Sequence, residues 1–207
     1  YNLNLHIEVI RDYYIKRSNK INLLSLQYGD LNYIKIKEIE PFLKSDLYII
    51  FGSSFIKGNL LKYLVKKKAI NIHMGISPYY KGSDCNFWAL YDGNSDLVGA
   101  TIHMLSKDLD GGEVLFHATS EYHKNPYLYS MSTVKSAFMG IKYYIVKKKK
   151  SLNPKKENFN LNIKFSKRRQ FQNRIISQFN KKKIFYKKPR NDFFINKFVL
   201  KKKDFFN

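Results

Sequence analysis

The chain carries one cysteine, Cys85, in 207 residues. A disulfide framework needs pairs of cysteines and a thiolate zinc site needs several, so neither is expected, and no metal site is expected. Glycine (10 residues) and proline (5 residues) are scarce, which excludes collagen-like and Pro/Gly-rich low-complexity chains. No apolar run approaches the ~18 residues of a membrane helix, so membrane insertion is not expected. Residues 1–14 place Glu8, Arg11 and Asp12 where a secretory signal needs an unbroken apolar stretch. A reducing, cytoplasmic setting is the expectation. Methionine is missing before Met74, so the chain reads as part of a longer product.

Acidic residues are also few. Sixteen Asp and Glu stand against 38 Lys and Arg, a formal charge of +22. Residues 146–207 hold 21 of the basic residues with only Glu157, Asp192 and Asp204 opposing them. The first 145 residues, with 17 basic and 13 acidic, are close to neutral. Two explanations stay open. Lys/Arg clusters interleaved with aromatics suit phosphate and base contacts. A codon bias towards Lys, Asn, Ile, Phe and Tyr would give the same composition without any selected binding role.

What is present is a compact α/β pattern. Leu5, Val9 and Tyr13 recur at four-residue steps, predicting a helix over 5–17. Residues 21–25 (INLLS) form a short apolar run that suits a buried strand, and the segment from Ile34 suits a polar strand end or a helix. DLYIIFG (46–52) is a strand, Phe55, Leu60, Leu61 and Leu64 fall at helical spacings, and AINIHMG (69–75) is a second strand. Strand, helix and strand within about 30 residues is a βαβ crossover, so a parallel sheet is expected. SPYYKGS (77–83) reads as a loop, and Phe87, Trp88 and Tyr91 lie on a short helix that stops at Gly93. LVGATIHML alternates as a strand, EVLFHATSEY is another, and residues 127–146 read as a helix packed back on the sheet. Two parts follow: a domain over 1–146, and a basic, aromatic-rich extension over 147–207 that shows no fixed repeat.

Three polar residues stand out. Asn71 and His73 are two apart on one strand, so their side chains share a face. They lie near the strand's carboxyl end, where open α/β sheets bind ligands. Asp110 sits in the turn after the following strand. An amide, an imidazole and a carboxylate at a strand end suit addition to a carbonyl, with the first two stabilising an oxyanion and the third relaying a proton. Taken alone, an Asn-x-His pair is more often just a hydrogen-bonded strand end. Cys85 reads as a small packing residue, and His6, His117 and His123 have no constellation around them.

Together NIH, ISPYYKG, NFWALYDG and VGATIHMLSKDLDGGEVL resemble the folate-dependent formyltransferases, the family of glycinamide ribonucleotide transformylase, methionyl-tRNA formyltransferase and the sugar N-formyltransferases. The resemblance spans about Asp46 to Tyr122, spacing included. It implies a Rossmann-like, mostly parallel sheet with helices on both faces. It assigns Asn71, His73 and Asp110 to catalysis and names 10-formyltetrahydrofolate as formyl donor. It places the donor's pterin against Ser54, Phe55 and Ile56 and against Ser106, Lys107, Asp108 and Leu109, and it sets His103 behind the catalytic pair.

Two departures matter. The family's first strand and its glycine-bearing loop have no counterpart, so the sheet is expected to lack that strand. The extension also lacks the strand alternation of the tRNA-binding barrel in methionyl-tRNA formyltransferase. The implied acceptor is a small amine, with an amino-sugar nucleotide favoured. Methionyl-tRNA and phosphoribosylglycinamide are the alternatives, and a non-catalytic nucleic-acid-binding remnant is a third. Nucleic-acid binding through 147–207 is not favoured, so deleting 151–207 is expected to leave transfer to a small amine unchanged.

Overall fold

The computed structural model describes residues 22–107, 111–147, 153–182 and 194–201. The helix expected over 5–17 lies outside them. Residues 22–26 form no strand, and Leu23, Leu24 and Leu26 are exposed. An apolar run becomes a strand only where a neighbour takes its backbone groups, and none does so among the described residues. The segment after Ile34 is helical: α1 (Ile36–Ile39) runs into a 3-10 turn over Glu40–Leu43 started by Pro41.

The main sheet contains β1 (Ile49–Phe51), β2 (Ile70–His73), β4 (Ala100–Met104), β5 (Val114–Ser120) and β7 (Phe198–Leu200), in that spatial order. Helix α2 (Gly58–Lys66) joins β1 to β2, which pair in parallel, as the crossover pattern requires. β4 runs against both of its neighbours, while β5 and β7 are parallel to each other. Four strands therefore share one direction and β4 opposes them. A second, two-stranded sheet pairs β3 (Tyr80–Gly82) with β6 (Lys164–Ser166). The stretch read as a plain loop thus contains a strand whose partner lies more than eighty residues away.

Alternation along the strands divides the main sheet into two unlike faces. Ile70, Ile72, Ala100, Ile102, Phe116 and Ala118 form one core with Ala137 and Ile141 of α4 (Pro126–Ile141). Asn125 caps that helix, its side-chain oxygen accepting from the Tyr127 and Leu128 amides, with Pro126 at the first helical position. The opposite face carries Asn71 and His73 on β2, registered against His103 and Thr101 on β4, with Thr101 in turn registered against His117 on β5. Ile39, Ile56, Leu60, Leu64 and Ala69 pack around α2 on this side. Helix α3 (Cys85–Tyr91) belongs to a third core with Ile76, Tyr80, Leu97, Val98 and Tyr129. Cys85 is buried there as a packing residue. Among the described residues, no helix is long and apolar enough to cross a membrane.

The carboxyl-terminal segment packs on this body. α5 (Asn173–Asn180) brings Phe179 into the third core, and Phe179 and Phe171 both meet the Phe87 ring. Lys164 Nζ stands 4.0 Å above Trp88 and pairs with Asp92, and Lys182 Nζ stands 3.6 Å above Tyr91. These lysines are held by aromatic faces and a carboxylate of the body.

Candidate active site

The polar face opens at the carboxyl end of β1 and β2 into a cleft of about 470 Å³, of the size that takes small-molecule ligands. Asn71, His73 and His103 line it, as do Ser54, Phe55, Ile56 and Ser106. Lys107 is exposed and does not line it. Asp108, Leu109 and Asp110 lie outside the described residues. Phe55 is 48% exposed at the cleft wall, so its ring is not a core aromatic. Tyr28 also lines the cleft, a contribution that nothing in the local pattern of residues 22–30 indicates.

The hydrogen bonds fix the state of the two candidate side chains. His103 Nδ1 lies 2.9 Å from the Met104 carbonyl oxygen. A carbonyl can only accept, so Nδ1 carries the hydrogen and, in the neutral ring, Nε2 keeps its lone pair. That lone pair accepts from Asn71 Nδ2 at 3.0 Å. The Asn71 amide is thereby oriented, with one N–H directed at His103 and a second N–H remaining on the same nitrogen. By the same reasoning His73 Nε2–H donates to the Tyr80 carbonyl, 3.0 Å away. Any further proton that the His73 ring offers is the one on Nδ1.

Two glycines make these contacts sterically possible. A Cβ on Gly75 would lie 2.7 Å from His73 Nε2 and 3.0 Å from the Tyr80 oxygen, in the middle of that hydrogen bond. A Cβ on Gly112 would collide with the Met104 carbonyl and come within 2.9 Å of His103 Nδ1. The turn that follows Asp110 therefore lies directly against the end of β4, beside the histidine that orients Asn71.

His117, which has no visible role in the sequence, is a buried bridge. Nε2–H donates to the Ser77 carbonyl at 3.1 Å and Nδ1 accepts from the Ile195 amide at 3.0 Å. Burial pushes its pKa down from 6.5 to about 4, against the smaller opposing effect of the Ser77 bond. The ring is neutral in the native state and charges more readily in the unfolded chain. It contributes stability in full above pH ~6.5, and that contribution is lost as pH falls towards 4. A displacement of this size is worth about 3 kcal/mol. Urea unfolding of the wild type should therefore lose about 3 kcal/mol more between pH 7 and pH 4 than the His117→Gln variant does. Equal losses in the two proteins would contradict this account.

Residues 40–133 match the formyl transferase family model. Over these 94 of its 207 residues the chain is similar to the formyl transferase family. The matched segment runs from the turn before β1 to the middle of α4 and contains every residue that lines the cleft except Tyr28. Over 89 residues it is 28% identical to methionyl-tRNA formyltransferase of Desulforamulus reducens, covering 42% of this chain and 28% of that one. Over 62 residues it is 34% identical to GDP-perosamine N-formyltransferase of Brucella melitensis, covering 30% of this chain and 23% of that one. The matched stretch thus spans about a quarter of each curated relative's length. A solved structure from Mycobacterium tuberculosis, of the sugar N-formyltransferase type, shares the fold. It superposes with a TM-score of 0.54 at 16% identity, over 81% of this chain and 71% of that one. The expected α/β architecture is the observed one. Among the described residues no group of three or more His, Cys, Asp or Glu side chains is placed to hold a metal.

Proposed function

We propose that the formyl transferase domain moves a formyl group from 10-formyltetrahydrofolate to the amine of an amino-sugar nucleotide. The observation that carries this reading is the fixed pair at the end of β2. Asn71 is oriented by His103 and His73 by the Tyr80 carbonyl, and both face one cleft. The cleft also suits the donor. The exposed Phe55 ring, with Ser54 and Ser106 also in the lining, offers an aromatic surface beside polar residues, which suits a pterin.

In this reading the acceptor amine attacks the formyl carbon, and negative charge builds on the formyl oxygen. The second Asn71 N–H and a protonated His73 Nδ1 stabilise that oxyanion. The bond from the formyl carbon to the folate nitrogen then breaks, and that nitrogen gains the proton that the amine gave up, handed on by Asp110. Asp110 takes the proton released by the amine and keeps His73 cationic, since an imidazole with an ordinary pKa near ~6.5 needs an adjacent carboxylate to stay charged at neutral pH.

The choice of acceptor rests on the likeness to the perosamine enzyme and on how the basic segment is used. Two of its lysines stand over Trp88 and Tyr91 of the body. The test is a transfer assay of the full chain with 10-formyltetrahydrofolate against three acceptors: amino-sugar nucleotides, methionyl-tRNA and phosphoribosylglycinamide. Turnover confined to the sugars is expected. Turnover confined to methionyl-tRNA at physiological salt would overturn the choice.

A further inference from the structure

Carboxyl-terminal residues hold the 77–83 loop from outside along nearly its whole length. Asn162 Nδ2 donates to the Pro78 carbonyl at 2.8 Å, and the Ile163 and Lys164 amides both donate to the Tyr79 carbonyl. Lys81 Nζ lies 2.8 Å from Glu157 Oε2, with both side chains more than nine-tenths buried. Ser166 Oγ donates to the Ser83 and Lys81 carbonyls, and the Ser83 amide donates back to Ser166. The Tyr80 carbonyl of the loop is turned inward and receives His73 Nε2–H, while the Ser77 carbonyl at the start of the loop receives His117 Nε2–H.

We propose that residues 157–166 are a positioning clamp for His73, with Glu157, Asn162 and Ser166 as positioning residues. The clamp sets the height of the Tyr80 carbonyl above the sheet, and the carbonyl sets the tilt of the imidazole in the cleft. A buried ion pair suits this task because its geometry is narrow. Removing one partner leaves a charge in a site that cannot solvate it. Gly75 leaves no slack beneath the ring, so a shift of the loop is passed directly to His73.

The catalytic purpose of the clamp rests on the formyl-transfer reading, so the experiment has a readout that needs no turnover. In the full chain the exchange of the His73 Nε2–H ring proton with water is measured by NMR. The His103 Nδ1–H proton, bound to Met104 away from the loop, is the internal control. In Glu157→Gln, Asn162→Ala and Ser166→Ala the His73 proton should exchange at least about ten-fold faster, with the His103 proton unchanged. Formyl transfer should show a kcat lower by about ten-fold with the donor KM nearly constant, because misplacement of a catalytic group acts on the transition state. Wild-type exchange of the His73 proton in all three variants would overturn the clamp, whatever the protein transfers. If Glu157→Gln also frees the His103 proton, that variant has lost the sheet, and Ser166→Ala, which removes a single hydroxyl, decides by the same criterion. A responsive His73 proton in a wild type that transfers no formyl group leaves the clamp standing and removes the formyl-transfer reading.

Discussion

His73→Ala, or Asp110→Asn, in the full chain should lower formyl transfer by ~10²–10⁴-fold while donor binding stays nearly intact. In the proposed function the donor is gripped by the walls of the cleft, which Ser54, Phe55 and Ser106 help to line, and neither substitution touches these. In the proposed mechanism the developing oxyanion is held by the Asn71 amide and His73, so the loss falls on kcat. Asn71→Ala should behave likewise. His103→Ala should cost less, since it removes only the group that orients the amide. Single-turnover rates together with donor affinity measured by titration separate these effects. Wild-type rates in both His73→Ala and Asp110→Asn would remove these residues from the site.

The β1–α2–β2 unit was legible in the sequence because each of its strands is a short apolar run ending in glycine, with a helix spaced between them. The Asn71–His73 pair was legible because two-residue spacing on a strand fixes a shared face whatever the rest of the fold does. The roles of Tyr80 and His117 were not legible. His73 meets a main-chain oxygen seven residues away, and His117 bridges Ser77 and Ile195, forty residues before it and 78 after it. Main-chain partners leave no mark on side-chain identity. The β3–β6 and β5–β7 pairings were hidden for a related reason. Their second strands are three residues each, KFS and FVL, embedded in basic sequence where no alternation can accumulate. Helix α5 shows how thin such a signal is: Ile175 and Phe179, four apart in NRIISQFN, provide its apolar contacts with the body.

The extension is where the composition and the packing lead to opposite outcomes. Read as a codon-biased overhang, residues 151–207 are expendable, and their deletion leaves transfer unchanged. The contacts predict that the truncated chain does not fold. Phe179 and Leu200 are 3% and 1% exposed. Removing buried side chains of those sizes costs about 3–5 and 2–5 kcal/mol. Deletion also takes Glu157 from Lys81 and so breaks a buried ion pair, at a further cost of about 3–5 kcal/mol. It strips β7 from β5 and leaves an unpaired edge. Together these losses, about 8–15 kcal/mol, are as large as the total stability of about 5–15 kcal/mol that a single domain holds. The deletion variant should therefore show no cooperative thermal transition, and any formyl transfer should vanish with the fold. Exposed basic side chains offer a contrast. Charge-neutralising substitutions at Lys156, Lys167 and Arg169, which are exposed, should leave the melting temperature nearly unchanged, because surface charges contribute little. A truncated chain that melts like the full one would show that the contacts of the segment add nothing to stability, and would return residues 151–207 to the overhang reading.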